Sequence, residues 1–505
     1  MTPLLIISFY LVLLLCLAWF SKRLFRGTAA DYFLASYSIG PFLLLMSVFG
    51  TTMTAFALVG STGEAYRGGI AVYGTLASWS GLVHAAVFFF VGMRLWALGK
   101  RYGYMTQIQY FRDRFESPGL GTLLFPVLVA LVIPYLLIGL LGATSVVQSL
   151  TRGAFPETFA ATSGGVPPWL SGLVISGVVL VYIFFGGLRG AALANAFQTM
   201  VFMFLGVVAV WAIADALGGP AAATQRVLEL HPERLVREGS ISHWKFIAYA
   251  LVPLSVGMFP HVFQHWLTAR SAKTFRLTVA AHPVCILLVW LPCVMIGVWA
   301  TSATMPDGTL IVPPDAPPNT ELARMVDRLT APALTGLLGA GILAAIMSSL
   351  DSQFLALGTM FTNDIVVHRF GHARFSDRQR VTMARGFIIA IVGITYLLSL
   401  AEPRQVFPLG VWCFSGFTGL FPLVVAALYW KRVTRAGAAA SVMVMAVVWF
   451  VLFRASGYGA QPDYVFGGAM PIVTIFAASL LTLVGISLVT RPPSAATLKK
   501  FNPNW

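Results

Sequence analysis

Apolar residues run through this chain in thirteen long stretches, each about long enough to cross a bilayer as a helix. They cover residues 3–20, 41–63, 70–98, 119–149, 168–186, 191–214, 246–267, 277–301, 333–362, 382–402, 406–430, 436–455 and 468–490. Polar residues collect in the connections, and none of these exceeds about 35 residues, too short for a soluble domain. The pattern predicts an all-α integral membrane protein of about 13 transmembrane helices, forming one domain over residues 1–505. An odd number of crossings puts the termini on opposite sides of the membrane.

Two of the longer connections carry structure of their own. Residues 215–245 have helical periodicity and mixed charge, which predicts a surface helix. Residues 302–330 are proline-rich and predict an ordered loop plus a short helix. Either is placed to cap a vestibule or to serve as a plain connector.

Two apolar stretches are interrupted. The second, LLLMSVFGTTMTAFALVGSTGEAYRGG, has Gly50, Thr51, Thr52 and Thr54 in its middle, poor helix formers side by side. The seventh, FIAYALVPLSVGMFPHVFQHW, has Pro253, Ser255, Gly257 and Pro260, and each proline removes a backbone donor. Ordinary kinks would explain either alone. The matched pair lies five spans apart and crosses in opposite directions, the pattern of an inverted-repeat transporter with a midplane site. Backbone broken at that depth must line a cavity or be enclosed by protein.

A third stretch, GILAAIMSSLDSQFLA at 341–356, packs Ser348, Ser349, Asp351 and Ser352 into an apolar run. On a helix Ser348 and Ser349 follow Ala345 by three and four positions, so both hydroxyls gather near the Ala345 carbonyl. Carbonyls of Gly50 and Met53 from the broken second span complete an all-oxygen site for a weakly held monovalent cation such as Na+. Helix packing or bonding to preceding carbonyls is the competing role for the serines. Asp351, an ionisable group inside a span, is a functional candidate in its own right; with Ser352 it is assigned a supporting role on the inner side.

Composition narrows the class. The chain is 58% hydrophobic and 10% charged. Its net charge of +15 would suit nucleic acid, but 23 of its 33 Lys and Arg fall in alternate short loops, the bias that marks cytoplasmic loops. The expected partners are therefore the lipid bilayer and a small-molecule solute, with no nucleic acid. The N-terminus is expected outside and the C-terminus in the cytoplasm of a cell (plasma or inner) membrane. The first span lacks a basic leading region and a small-residue cleavage site, so it is expected to be retained. The four cysteines lie in apolar segments without a CxxC pair, which argues against a disulfide framework or zinc site. His261 and His265 stand four apart, but no third metal ligand accompanies them.

The stretch AAIMSSLDSQFLALGTMFTNDI from Ala344 resembles the signature helix of the sodium:solute symporter family. GTTMTAFALVGSTGEAYRGG, KRYGYMTQIQYFRDRF, YIFFGGLRGAALANAFQTMVF and GMFPHVFQHWLTARSAKTFR resemble further family motifs, in order, across nearly the whole chain. The resemblance implies the LeuT-type fold: two inverted five-helix repeats at 41–214 and 246–430, a leading helix at 3–20 and two trailing helices within 436–490. It implies Na+-coupled solute transport by alternating access, with Na+ held by Gly50, Met53, Ala345, Ser348 and Ser349. Two departures stand out. Ala194-Asn195, ahead of Gln198, replaces a Thr-Asp pair associated with a second sodium site, which argues for one Na+ per cycle, with Asn195 and Gln198 in structural or coupling roles. Ile138 stands near the place of a glutamine in many members.

The broken spans and their neighbours are expected to line the solute pocket: Thr51, Thr52, Thr54 and Phe56; Tyr73 and His84; Ser255, Phe259 and Gln264; Phe414 and Ser415. Helix packing competes for each of them. No acid or arginine falls in mid-span to clamp a sugar or fork a carboxylate. The expected solute is a small organic acid or amino acid of monocarboxylate, pantothenate or proline type, with a sugar or inorganic anion next. The functional unit is expected to be a monomer. An enzyme is not expected, because the 18 Asp and Glu lie mostly in loops. A transporter-like membrane sensor and a channel are the other rivals.

Overall fold

A computed structural model describes residues 1–24, 27–237, 241–401 and 405–501. Arg26 and the end of the 382–402 stretch fall outside the described residues. Within them the chain is helical, with only isolated bridges between extended residues.

Among the described residues nine helices are long and apolar enough to cross a membrane, or up to eleven if each of two bent pairs counts as one span. The bent pairs are the two interrupted stretches. Pro41–Thr52 continues into Phe56–Gly68 at 59°, and His243–Gly257 into Pro260–Leu267 at 51°. Most of the second pair's first half, Tyr249–Gly257, winds as a tighter 3-10 helix around Pro253, where the missing N–H prevents a regular ladder.

The predicted spans 168–186 and 191–214 form one 49-residue helix, Pro168–Ala216, interrupted at Gly187 (φ 54, ψ −155). A Cβ there would lie 2.7 Å from the Tyr32 ring, so glycine meets both the backbone conformation and the close approach. Thirteen crossings require these two halves, and the leading helix Thr2–Leu24, to cross separately. The loop at 302–330 forms the short helix Glu321–Leu329, and the 215–245 connection forms Pro220–Leu230.

Sequence signals set the helix starts. Proline occupies the first turn of Pro41–Thr52, Pro118–Leu150, Pro260–Leu267, Pro332–Met360 and Pro471–Val489, where its absent N–H costs nothing. Ser376 and Gln379 close a capping box on Asp377–Ser399.

The helix at the centre is Pro332–Phe370, the predicted 333–362 stretch extended at its C-terminal end through a π-helical turn. It packs against both halves of the 49-residue helix, the leading helix, Pro118–Leu150 and the first broken span. Its small residues permit that approach: a Cβ on Gly339 would meet Leu150 at 2.4 Å and one on Gly341 would meet Leu205 at 3.0 Å. In contrast, the trailing helices Arg435–Ala455 and Pro471–Val489 pack on Val406–Tyr429 and turn much of their surface outward. The polar knot of 348–352 is thus enclosed by protein, where an unpaired polar group is costly.

Candidate functional site

The first broken span ends its opening half at Thr52, with Met53 extended (φ −91, ψ 97). The last carbonyls of a helix, here those around Gly50 to Met53, have no partner in their own ladder. The Gly50 carbonyl finds one across the fold: the Ser348 hydroxyl lies 2.9 Å from it and 2.9 Å from the Ala345 carbonyl. One hydroxyl hydrogen cannot fully satisfy both acceptors. Three oxygens from two elements therefore converge with more acceptor capacity than donors, a donor set that fits a hard monovalent cation. Thr199 closes the far side. Its hydroxyl donates to the Met46 carbonyl at 3.0 Å, and a Cβ on Gly50 would lie 2.3 Å from that hydroxyl.

The other two expected ligands are placed differently. The Ser349 hydroxyl donates to the Ile346 carbonyl at 2.8 Å, turned to its own helix rather than to Ala345. Met53 is buried in the unwound stretch. Thr54 restarts the span, its hydroxyl accepting the Phe56 N–H at 3.1 Å. Thr52 bonds back to the Val48 and Phe49 carbonyls, while the fully buried Thr51 hydroxyl has no partner among the described residues.

One turn further along the central helix lies a second polar cluster. The Ser352 hydroxyl donates to Asp351 Oδ1 at 2.9 Å and accepts from the Asn195 amide at 2.9 Å. His265 Nε2 stands 3.0 Å from the same hydroxyl. One donor and two acceptors are all a serine hydroxyl has, so Ser352 is saturated. The supporting assignment of Asp351, Ser352 and Asn195 thus lands on one connected group. Gln198 lies beside it and donates to the Tyr10 hydroxyl at 3.2 Å.

The second break is lined by aromatic rings. Phe259, at the hinge, lies 5.2 Å from Tyr135, 5.7 Å from Phe414 and 5.0 Å from Phe417. Phe56, from the first broken span, lies 4.9 Å from Phe414. Phe56, Phe259 and Phe414 were expected from sequence and do come together. Tyr135 and His261, which complete the cage, were not expected as pocket residues.

The remaining expected pocket residues sit elsewhere. Gln264 donates to the Phe33 carbonyl and the Thr359 hydroxyl, tying helices rather than facing the cage. His84 packs on His282 at 5.2 Å, and His282 reaches Thr52 at 3.5 Å. Ser255 is buried in the 3-10 stretch, and Tyr73 is half-buried with no ring contact among the described residues. The Ser415 hydroxyl bonds the Trp412 carbonyl, and Ser415 also lines a cavity of about 890 Å³ that runs to Arg67, Lys245 and Asp463.

The model of the sodium:solute symporter family matches residues 32–445. The chain belongs to that family. It is 25% identical to the sodium/pantothenate symporter of Escherichia coli K12, over 97% of each chain. It is also 25% identical to the osmoregulated proline transporter of Bacillus subtilis 168, over 98% of this chain and 96% of that one. A substrate-bound, outward-open Na+-coupled sialic acid symporter superposes with a TM-score of 0.77 at 17% identity, over 98% of this chain and 99% of that one. The nucleobase-cation symporter Mhp1 reaches 0.58 at 14% identity, over 93% of this chain and 97% of that one. The family member is a multi-pass, LeuT-type Na+-coupled solute symporter, with Na+ as the coupling ion.

Proposed function

We propose that this symporter carries a small organic acid or amino acid into the cell with one Na+ per cycle. The observation behind this reading is the join between Ser348 and Gly50, residues of two elements sharing a hydroxyl, on the same broken span that brings Phe56 to Phe414. Na+ held by the carbonyls of Gly50, Met53 and Ala345 and the hydroxyls of Ser348 and Ser349 would bridge the broken span to the central helix. The bridge fixes the broken span's geometry, so ion and solute favour the same conformation, and that shared preference is the coupling. Phe56, Phe259 and Phe414 contact the solute in this reading. Asp351, Ser352, Asn195 and Gln198 support the ion helix.

The choice of solute follows from the relatives, a pantothenate and a proline transporter. Both solutes carry a carboxylate, and the cage offers apolar faces with few polar groups.

In the same reading, residues 41–214 and 246–430 are the two repeats, and the leading helix and both halves of Pro168–Ala216 each cross the membrane. The N-terminus is outside, the C-terminus is in the cytoplasm of a plasma or inner membrane, and one chain is the working unit. The solute leaves chemically unchanged.

The test is uptake by purified protein in proteoliposomes. An inward Na+ gradient should drive accumulation above equilibrium. Equilibration regardless of the gradient would indicate a channel, and binding without uptake a sensor; either result overturns the proposal.

A further inference from the structure

His261 is 1% exposed, and neither ring nitrogen has a hydrogen-bond partner among the described residues. A buried imidazole without partners forfeits hydrogen bonds it would make in water. Such a group persists where something else meets it.

Its surroundings are specific. His261 is the second residue of the half-helix Pro260–Leu267, every residue of which is buried. The residue before that helix is Phe259, which offers no capping oxygen, and Pro260 has no N–H. The first backbone donors are therefore those of His261 and Val262, at the positive end of the half-helix dipole. A buried helix start without a side-chain cap needs another acceptor. The imidazole keeps a donor in every protonation state. It stacks on Phe259 at 5.2 Å and 19° and stands 5.6 Å from Tyr135, so it belongs to the wall of the aromatic cage.

From this geometry we infer that the solute's carboxylate is bound at His261, by the imidazole together with the His261 and Val262 N–H groups. Its apolar body lies against Phe259, Tyr135 and Phe414. The inference rests on the solute-pocket reading above and narrows it to one chemical class. A polyol is a poor match, because only His261 and Tyr135 among these residues carry polar side-chain atoms, so most hydroxyls would go unpaired. A bare cation is a poor match too, since none of these residues is acidic.

The test uses the full chain in proteoliposomes, with propionate, pyruvate, L-proline and pantothenate as probes and the amide of each as control. At least one acid should show Na+-dependent uptake, with its amide taken up at least tenfold less efficiently. His261→Ala should raise the KM for that acid at least tenfold and leave the Na+-induced rise in melting temperature intact, which shows that the protein still folds and binds the ion. His261→Gln, which restores a donor, should recover most of the loss. Equal transport of acid and amide overturns the inference, as does a His261→Ala KM within twofold of the parent. Absence of uptake for every acid while Na+ still stabilises the chain overturns the carboxylate assignment and leaves the ion site standing. Loss of the Na+ stabilisation in the parent protein would instead strike the ion-site reading.

Discussion

The Ser348 hydroxyl lies 2.9 Å from the Gly50 carbonyl, joining residues 298 positions apart. Ser349, its neighbour, donates instead to Ile346 within its own helix. The two serines therefore should not respond alike. Ser348→Ala should raise the Na+ concentration for half-maximal uptake about tenfold or more, the effect of losing roughly 1.4 kcal/mol of ion binding. Ser349→Ala should raise it only a few-fold. Na+ titrations of uptake at saturating solute separate them, and equal effects would remove the case for ranking Ser348 first.

Gly50 is held against Thr199. A methyl group at residue 50 would lie 2.3 Å from the Thr199 hydroxyl, a distance that forces movement. Overpacking of this kind costs about 1–3 kcal/mol. Gly50→Ala should abolish Na+-dependent uptake, and Gly50→Ala with Thr199→Ala should restore part of it. The double-mutant cycle measures the coupling directly. Additive losses would mean that the glycine is needed for some reason other than this contact.

Much of this arrangement was legible in the sequence, because broken helices leave a compositional mark. Gly-Thr-Thr and the paired prolines gave away both breaks, and the cluster of serines around Asp351 in an apolar run marked the central helix. What stayed hidden depends on three-dimensional proximity. Tyr135 sits in a leucine-rich span and reads as packing until Phe259 and Phe414 close on it. His261 and His265 stand four apart in sequence, yet His265 meets Ser352 while His261 stacks on Phe259. Gln264, a plausible pocket polar group, is committed to Phe33 and Thr359. A sequence shows which groups need partners, and the fold decides which partners they get.

Ser352 holds three buried groups at once: the Asp351 carboxyl, the Asn195 amide and the His265 ring. Ser352→Ala removes one partner from each of the three, and a buried polar group left unsatisfied costs about 1–3 kcal/mol. Ser352→Thr keeps the hydroxyl. In detergent, Ser352→Ala should melt well below Ser352→Thr, with the Na+ dependence of any remaining uptake still hyperbolic. Sigmoidal Na+ dependence in the parent protein would contradict one Na+ per cycle, the inference drawn from Asn195.

Glu321 links the 302–330 loop to the first broken span. It is buried, its carboxylate oxygens would stand 3.1 Å from a Cβ on Gly63, and it lies 3.8 Å from Arg67. Burial pushes its carboxyl above the usual range, with Arg67 and Arg324 opposing in part. The docked carboxyl therefore keeps its proton to higher pH than the carboxyl of the free loop does. The contact is strongest at acid pH and weakens as pH rises from the ordinary carboxylate range through the raised value. Hydrogen exchange of residues 321–329 should slow on going from pH 7 to pH 5, after correction for intrinsic rates. Glu321→Gln should flatten that dependence, and an unchanged pH profile in the variant would assign the effect to another group.

The helix Ala495–Phe501 docks on the loop that carries Gln107–Arg114, and its two ends of contact differ in kind. Lys500 Nζ reaches Asp113 at 2.5 Å, but both side chains are more than a third exposed. An exposed pair contributes about 0–1 kcal/mol. Phe501 is buried, with its ring 5.8 Å from Tyr102 and 6.0 Å from Tyr110, and such burial is worth about 1.5–3 kcal/mol. Packing should therefore outweigh the ion pair. Phe501→Ala should speed amide exchange across 107–114 about tenfold or more, while Lys500→Ala should change it less than about fivefold. The loop also reaches the central helix, since the Thr106 hydroxyl donates to Asp364 at 3.0 Å and Arg112 donates to the Asp364 carbonyl at 3.0 Å. Loosening should thus extend to residues 361–367 in Phe501→Ala. If Lys500→Ala loosens the loop as much as Phe501→Ala does, the tail is held by charge, and its docking should then weaken with added salt.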